Sequence, residues 1–265
     1  CVFIGGGELI QPNVAFPVAL FCWTLLTRTL ARKRCFLFGV GVADGMRTVD
    51  RLLVRLGVRM CDRVAVRDED SRPRLEQCTG RRDVDVVPDP AFFIGEIHPP
   101  SCPQPEKVVL SPTSYTFYTK KHSKVGLMDE QTYLRYWSEV AIKFMKIGQT
   151  VEFVSTGMPD DEAFHRSIAR SIHEQTGQEL VVRAPASVPD LLSALSVDKV
   201  VSGRLHAMIL AFCMHAKPQP FETSEKMKNY STTFFSSHSG VEDAIRELRR
   251  LTRIYLSAVD RQSLG

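Results

Sequence analysis

Short runs of consecutive apolar residues alternate along the whole chain with longer stretches in which apolar positions recur every three or four residues. Brief all-apolar runs suit strands buried on both faces, and periodic stretches suit helices packed on them. The rhythm therefore predicts βα units around mostly parallel sheets. In the first part strands are expected at Val2 to Ile4, Cys35 to Val40, Arg63 to Val66 and Val84 to Val87. Asp50, Leu52, Leu53, Leu56 and Met60 keep helical spacing between two of these runs. The rhythm stops from His98 to Pro105, where prolines at 99, 100, 103 and 105 are incompatible with helix or central strand, and a domain linker is expected there.

A second series predicts strands at Val108 to Leu110, Val151 to Ser155, Leu180 to Val182, Lys199 to Ser202 and Gln219 to Phe221. Tyr133, Tyr136, Trp137, Val140, Phe144 and Ile147 form a helical stripe that Gly148 ends, and Ser187, Pro189 and Asp190 open another helix. A last helix, Val241 to Tyr255, is rich in Arg and Leu and is expected to pack back across the molecule. The expected fold class is α/β, with two Rossmann-like domains spanning residues 1–98 and 106–265 and ligands bound in an inter-domain cleft at the carboxyl ends of strands. The apolar stretch Val14 to Leu26 is shorter than the roughly 20 residues a membrane span needs, and it reads as a buried crossover helix.

Composition narrows the partners. A chain of 265 residues can hold two domains, and its net charge of +4 favours anionic ligands without marking a nucleic-acid binder. Seven scattered cysteines form no CxxC pair, so a reducing cytoplasm is the expected setting. His165, His173, His215 and His238 share no metal-ligand spacing with each other or with a cysteine, and no metal is expected. The chain opens on the strand-like run Cys1 to Ile4 and not on a basic segment, which excludes a signal peptide at this point and implies residues upstream.

The segment Val200 to Phe212 carries the strongest chemical signal. Ser202 and Gly203 turn a buried strand into a helix whose N-terminus favours an anion, and Arg204 adds a planar fork for phosphate or carboxylate. His206 adds a group that exchanges protons near neutral pH; a capping Arg with a satisfied core histidine is the alternative. Gly5, Gly6 and Gly7 follow the first strand, matching no nucleotide fingerprint and suiting either a tight turn or close ligand approach. Arg67 ends a strand, either facing the cleft or pairing with Asp68 or Asp89. Lys226, after the last strand, either reaches the anion held by Arg204 or lies in solvent.

Together, Gly5 to Gly7, Val66 to Ser71, Pro88 to Phe92 and above all Ser202 to Ala207 resemble the polysaccharide pyruvyl transferase family over nearly the whole chain. That resemblance implies a GT-B-like pair of domains and transfer of pyruvate from phosphoenolpyruvate to a sugar hydroxyl pair, forming a ketal in cell-surface glycan synthesis. It implies His206 and Arg204 as catalytic residues, with Arg67, Leu205, Lys226, Gly6, Gly7, Ser202 and Gly203 binding substrate. Phosphoenolpyruvate is then a co-substrate and no cofactor is needed. The acceptor is a sugar or lipid-linked oligosaccharide, so peripheral association with the inner face of the membrane is expected as well. Family members carry a strand and a Gly-Asp loop before the glycine triplet, so the first domain is expected to lack its first strand. A nucleotide-sugar glycosyltransferase of GT-B type, or a non-catalytic glycan- or phosphate-binding relative, is the competing expectation.

Overall fold

The computed structural model describes residues 1–98, 104–121, 127–156, 158–221 and 241–260. Its contacts divide the chain into two units, one of Cys1–Phe93 with Glu242–Gly265 and one of Ile94–Val241. The expected division ended the first domain at residue 98 and gave the C-terminal helix to the second. The contacts instead place the break between Phe93 and Ile94 and assign that helix to the first unit. Residues 99–103 of the proline-dense stretch lie outside the described residues, while Gln104 and Pro105 already belong to a strand.

In unit 1 the strands β1 (Val2–Gly5), β2 (Cys35–Val40), β3 (Arg63–Val66) and β4 (Val84–Val86) form a parallel sheet in that order. Helices α1 (Ala15–Thr29), α2 (Thr48–Arg59) and α3 (Ser71–Thr79) connect successive neighbours. Right-handed crossovers between adjacent parallel strands place such helices on one face of the sheet. Accordingly Ile4, Leu37 and Val64 share a core with Leu20, Val54, Val58 and Leu75. On the strands' other side, Phe36 and Phe38 meet the Tyr255 ring of the C-terminal helix α10 (Val241–Asp260) at centroid distances of 5.6 and 5.5 Å. The Tyr255 hydroxyl donates to Asp85 Oδ2 at 2.7 Å, which ties α10 to β4.

The apolar stretch read as a buried helix is α1, and it is buried on one side alone. Pro17, Leu20, Thr24 and Thr27 face inward, while Val18, Trp23 and Leu26 are exposed. The inward threonines make this possible, since the Thr24 hydroxyl donates back to the Leu20 carbonyl at 2.9 Å and needs no water.

In unit 2 five parallel strands, β5 (Gln104–Ser111), β6 (Thr150–Val154), β7 (Val181–Arg183), β8 (Val197–Ser202) and β9 (Lys217–Pro220), are ordered β7-β6-β5-β8-β9. Short α4 (Ile94–Ile97) precedes them, and α5 (Tyr115–Lys121), α6 (Glu130–Lys146), α7 (Pro159–Thr176), α8 (Val188–Leu195) and α9 (Leu205–Cys213) complete the unit. Central β5 is buried on both faces: Val108 and Leu110 pack with Trp137 and Ile168, and Val109 packs with Leu195 and Ala211. The sequence rules for helix ends hold here, because Ser187 caps α8 by accepting from the Asp190 backbone N–H, and Gly148 follows α6 with φ of 82°.

Candidate functional site

The chain of unit 2 runs outward from β5 through β6 to β7, then returns to the other side of β5 for β8 and β9. The strand order thus reverses between β5 and β8. In open parallel sheets the loops leaving the strands on either side of such a reversal diverge and open a crevice at the carboxyl edge. Here those loops are Ser111–Ser114 and Ser202–Arg204, aligned by the pairing of Ser111 with Ser202.

The corner is built from hydroxyls and backbone. The Ser202 hydroxyl donates to the Ser111 carbonyl at 2.9 Å and accepts from the Arg204 backbone N–H at 2.9 Å. Gly203 donates its N–H to the same Ser111 carbonyl at 3.4 Å. These bonds fix the strand-to-helix turn, so that Arg204 becomes the N-cap residue of α9 with an extended backbone.

The Arg204 side chain is held by a carboxylate. Its Nε donates to Asp161 Oδ2 and its Nη2 to Asp161 Oδ1, both at 2.9 Å, while its Cζ lies 3.8 Å from the centroid of the Phe117 ring. Asp161 stands in the first turn of α7, is 1% exposed, and also accepts the Ser114 backbone N–H at 2.7 Å. Nη1 of Arg204 lies outside the Asp161 pair, and the side chain keeps 16% of its surface exposed. The guanidinium is therefore locked in plane and orientation by a two-point ion pair and an aromatic face.

One helical turn on from Asp161, fully buried His165 donates Nε2–H to the Pro112 carbonyl at 2.8 Å. Its Nδ1 has no hydrogen-bond partner, and burial pushes the imidazole below its usual value of 6.5. Tyr133 donates to the Thr113 carbonyl at 3.2 Å, and burial pushes its phenol up to about 12, so it stays a donor. Among the described residues no three His, Cys, Asp or Glu side chains gather into a metal-binding group.

Ser202, Gly203, Arg204 and Leu205 thus come together at one corner. His206 follows on the first turn of α9 and is exposed, not the core histidine that was the alternative. Arg67 is different. It is 3% exposed, donates Nη1–H to buried Asp89 at 2.9 Å, and lies flat against Gly41, whose Cβ would come within 2.8 Å of its Nε. The expected anion clamp is an internal ion pair of unit 1. Gly6 and Gly7 form a turn after β1 with φ of 84° and 62°, and the Gly7 carbonyl accepts from Gly41 at 2.8 Å. Lys226 lies outside the described residues. Asp161 was not singled out from the sequence, where an acid in a helix's first turn has the ordinary explanation of complementing the dipole. In the sequence His165 bears only on metal-ligand spacing, which it does not satisfy. No local signal marks either one; their part follows from strand order.

The fold and this corner define an α/β protein that sets an oriented arginine where the strand order of its second sheet reverses. The chain belongs to the polysaccharide pyruvyl transferases, a transferase family whose sequence profile matches residues 1–218. No curated protein matches it. It is similar in fold to the UDP-GlcNAc 2-epimerase from Methanocaldococcus jannaschii, at 8% identity over 92% of this chain and 83% of that one, with a TM-score of 0.49. TarM is 14% identical over 82% of this chain, with a TM-score of 0.47. The Gap123 glycosylation-associated complex from Streptococcus agalactiae is 12% identical over 94%, with a TM-score of 0.45. The chain spans 43% of the length of TarM and 51% of that of the Gap123 chain.

Proposed function

We propose that this protein transfers pyruvate from phosphoenolpyruvate to two hydroxyls of one sugar, forming a ketal and releasing phosphate, in the cytoplasmic synthesis of a cell-surface glycan. The observation that carries this reading is the orienting of Arg204 by Asp161 at the switch point between β5 and β8. A guanidinium fixed at a helix N-terminus is suited to a planar carboxylate or a phosphate, and phosphoenolpyruvate carries both.

In the proposed reaction His206 gives a proton to the methylene carbon of phosphoenolpyruvate, leaving an oxocarbenium-like centre at C2. One sugar hydroxyl attacks C2 and returns its proton to His206. The C2–O bond to phosphate then breaks, and the second hydroxyl closes the ketal while its proton leaves on phosphate. Arg204 holds the donor's anion throughout, with Ser202, Gly203 and Leu205 shaping the corner. Lys226 assists in the sequence-based reading, and Gly6 and Gly7 allow close approach of ligand in unit 1. Arg67 is left to its pairing with Asp89.

Phosphate release tests the reading. It is expected to require both phosphoenolpyruvate and a sugar or lipid-linked oligosaccharide acceptor. Thermal stabilisation by a nucleotide sugar but not by phosphoenolpyruvate would instead favour a glycosyltransferase.

A further inference from the structure

Helices α1 and α2 pack side by side, close enough that a Cβ on Gly57 would lie 3.3 Å from Thr24 Oγ1 and 3.4 Å from Leu20 Cγ. Their outer surface is apolar where solvent would favour polar residues. Trp23, Leu26, Leu30 and Leu52 are 48%, 52%, 80% and 55% exposed, and Val18 and Leu56 add to them. On α1 the exposed apolar residues Val18, Trp23, Leu26 and Leu30 follow one another at helical spacing, because the helix turns Pro17, Leu20, Thr24 and Thr27 inward. Contiguous apolar surface of this kind marks an interaction site.

The charge around it identifies the partner. Between Val14 and Met60 the chain carries eight Arg or Lys residues and two acids, against 34 and 30 in the whole chain, so the remainder is net acidic by two. Both acids, Asp44 and Asp50, are paired with arginines. Arg51, Arg55 and Arg59 line the exposed side of α2, and Arg32 and Lys33 follow α1, all of them exposed. Such a surface repels its own copy, since a two-fold dimer through this face would set the same cations opposite each other. An apolar stripe bordered by arginines matches an anionic lipid surface, where the apolar side chains enter the boundary between headgroups and acyl chains and the arginines meet phosphates. Among the described residues no helix is long and apolar enough to cross a membrane.

The geometry points to the outer face of α1 and α2 as a docking surface for anionic bilayers, with Trp23, Leu26 and Leu30 inserted and Arg51, Arg55 and Arg59 on the headgroups. None of these residues belongs to the candidate site, so this surface and the proposed reaction fail separately.

The test uses the whole chain with phosphatidylcholine vesicles, with and without phosphatidylglycerol. Sedimentation with the anionic vesicles is expected, falling as salt rises, with little binding to neutral ones. Trp137 is fully buried, so iodide quenching reports Trp23, and anionic vesicles are expected to shield it. Trp23→Ser with Leu26→Ser, and separately Arg51→Glu with Arg55→Glu, are expected to weaken vesicle binding more than about tenfold. Both are expected to leave phosphate release with a soluble acceptor unchanged. Equal binding to neutral and anionic vesicles, unshielded Trp23, or a stable dimer that Trp23→Ser dissociates would each overturn the proposal.

Discussion

Asp161 and Arg204 stand 43 residues apart in sequence, and the two carboxylate oxygens of the first meet two nitrogens of the second, each at 2.9 Å. The acid comes from the start of α7 and the arginine from the N-cap of α9, just past β8, so the pair spans the reversal of strand order in unit 2. In the proposed reaction Asp161 is a positioning residue acting through Arg204.

Replacing Asp161 by Ala removes one partner of a pair that is nearly sealed from water. Chemical denaturation is expected to show a loss of about 3 kcal/mol, since breaking a buried pair strands the remaining charge. Asp161→Asn keeps the shape and loses the charge, so it is expected to raise KM for phosphoenolpyruvate more than it destabilises. An unchanged KM in Asp161→Asn would separate Asp161 from donor binding.

Arg204→Lys keeps the positive charge but loses the planar fork. Donor KM is expected to rise about tenfold or more, with little change in folding. Steady-state phosphate release at varied phosphoenolpyruvate checks it.

His206 is exposed, so its truncation to Ala is expected to leave the melting temperature within a degree or two, roughly the effect of a surface change. Turnover is expected to fall by about a hundredfold to ten-thousandfold, the range for loss of a general acid. Near-normal turnover would remove His206 from the reaction.

Burial lowers the His165 pKa from its usual 6.5, so the folded chain holds this imidazole neutral while the unfolded chain binds a proton as pH falls. Its contribution to stability is full above about 6.5 and is lost progressively below that value. Denaturation at pH 7.5 and pH 5.5 is expected to show a drop that His165→Gln reduces.

Arg67 and Asp89 make the opposite prediction to Arg204. Arg67→Met is expected to cost about 3 kcal/mol or more by stranding the Asp89 carboxylate, without altering donor KM in protein that remains folded. A raised KM in the milder variant Arg67→Lys at unchanged stability would return Arg67 to the ligand.

The strands were legible because strands buried on both faces appear as unbroken apolar runs: β2 was expected at Cys35 to Val40 and spans those residues. The corner Ser202 to Arg204 was legible because a strand, a glycine and a helix start follow one another directly. Strand order was not, since nothing local tells β8 to lie beside β5, and Asp161 and His165 gain their place through that order alone. Arg67 looked like a cleft residue because its nearest acids, Asp68 and Asp89, do not declare by spacing which of them it will meet. For α1, a high apolar count suggested burial, but orientation is set by which side the threonines and Gly57 allow to pack closely.

The return of α10 to unit 1 has a consequence during synthesis. The wall that covers Phe36 and Phe38 leaves the ribosome only after all of unit 2 has been translated. Until then the nascent N-terminal sheet presents an uncovered aromatic face. Premature termination before residue 241 would make that state permanent, and aggregation through the N-terminal sheet, with unit 2 itself intact, is the expected fate of such a product.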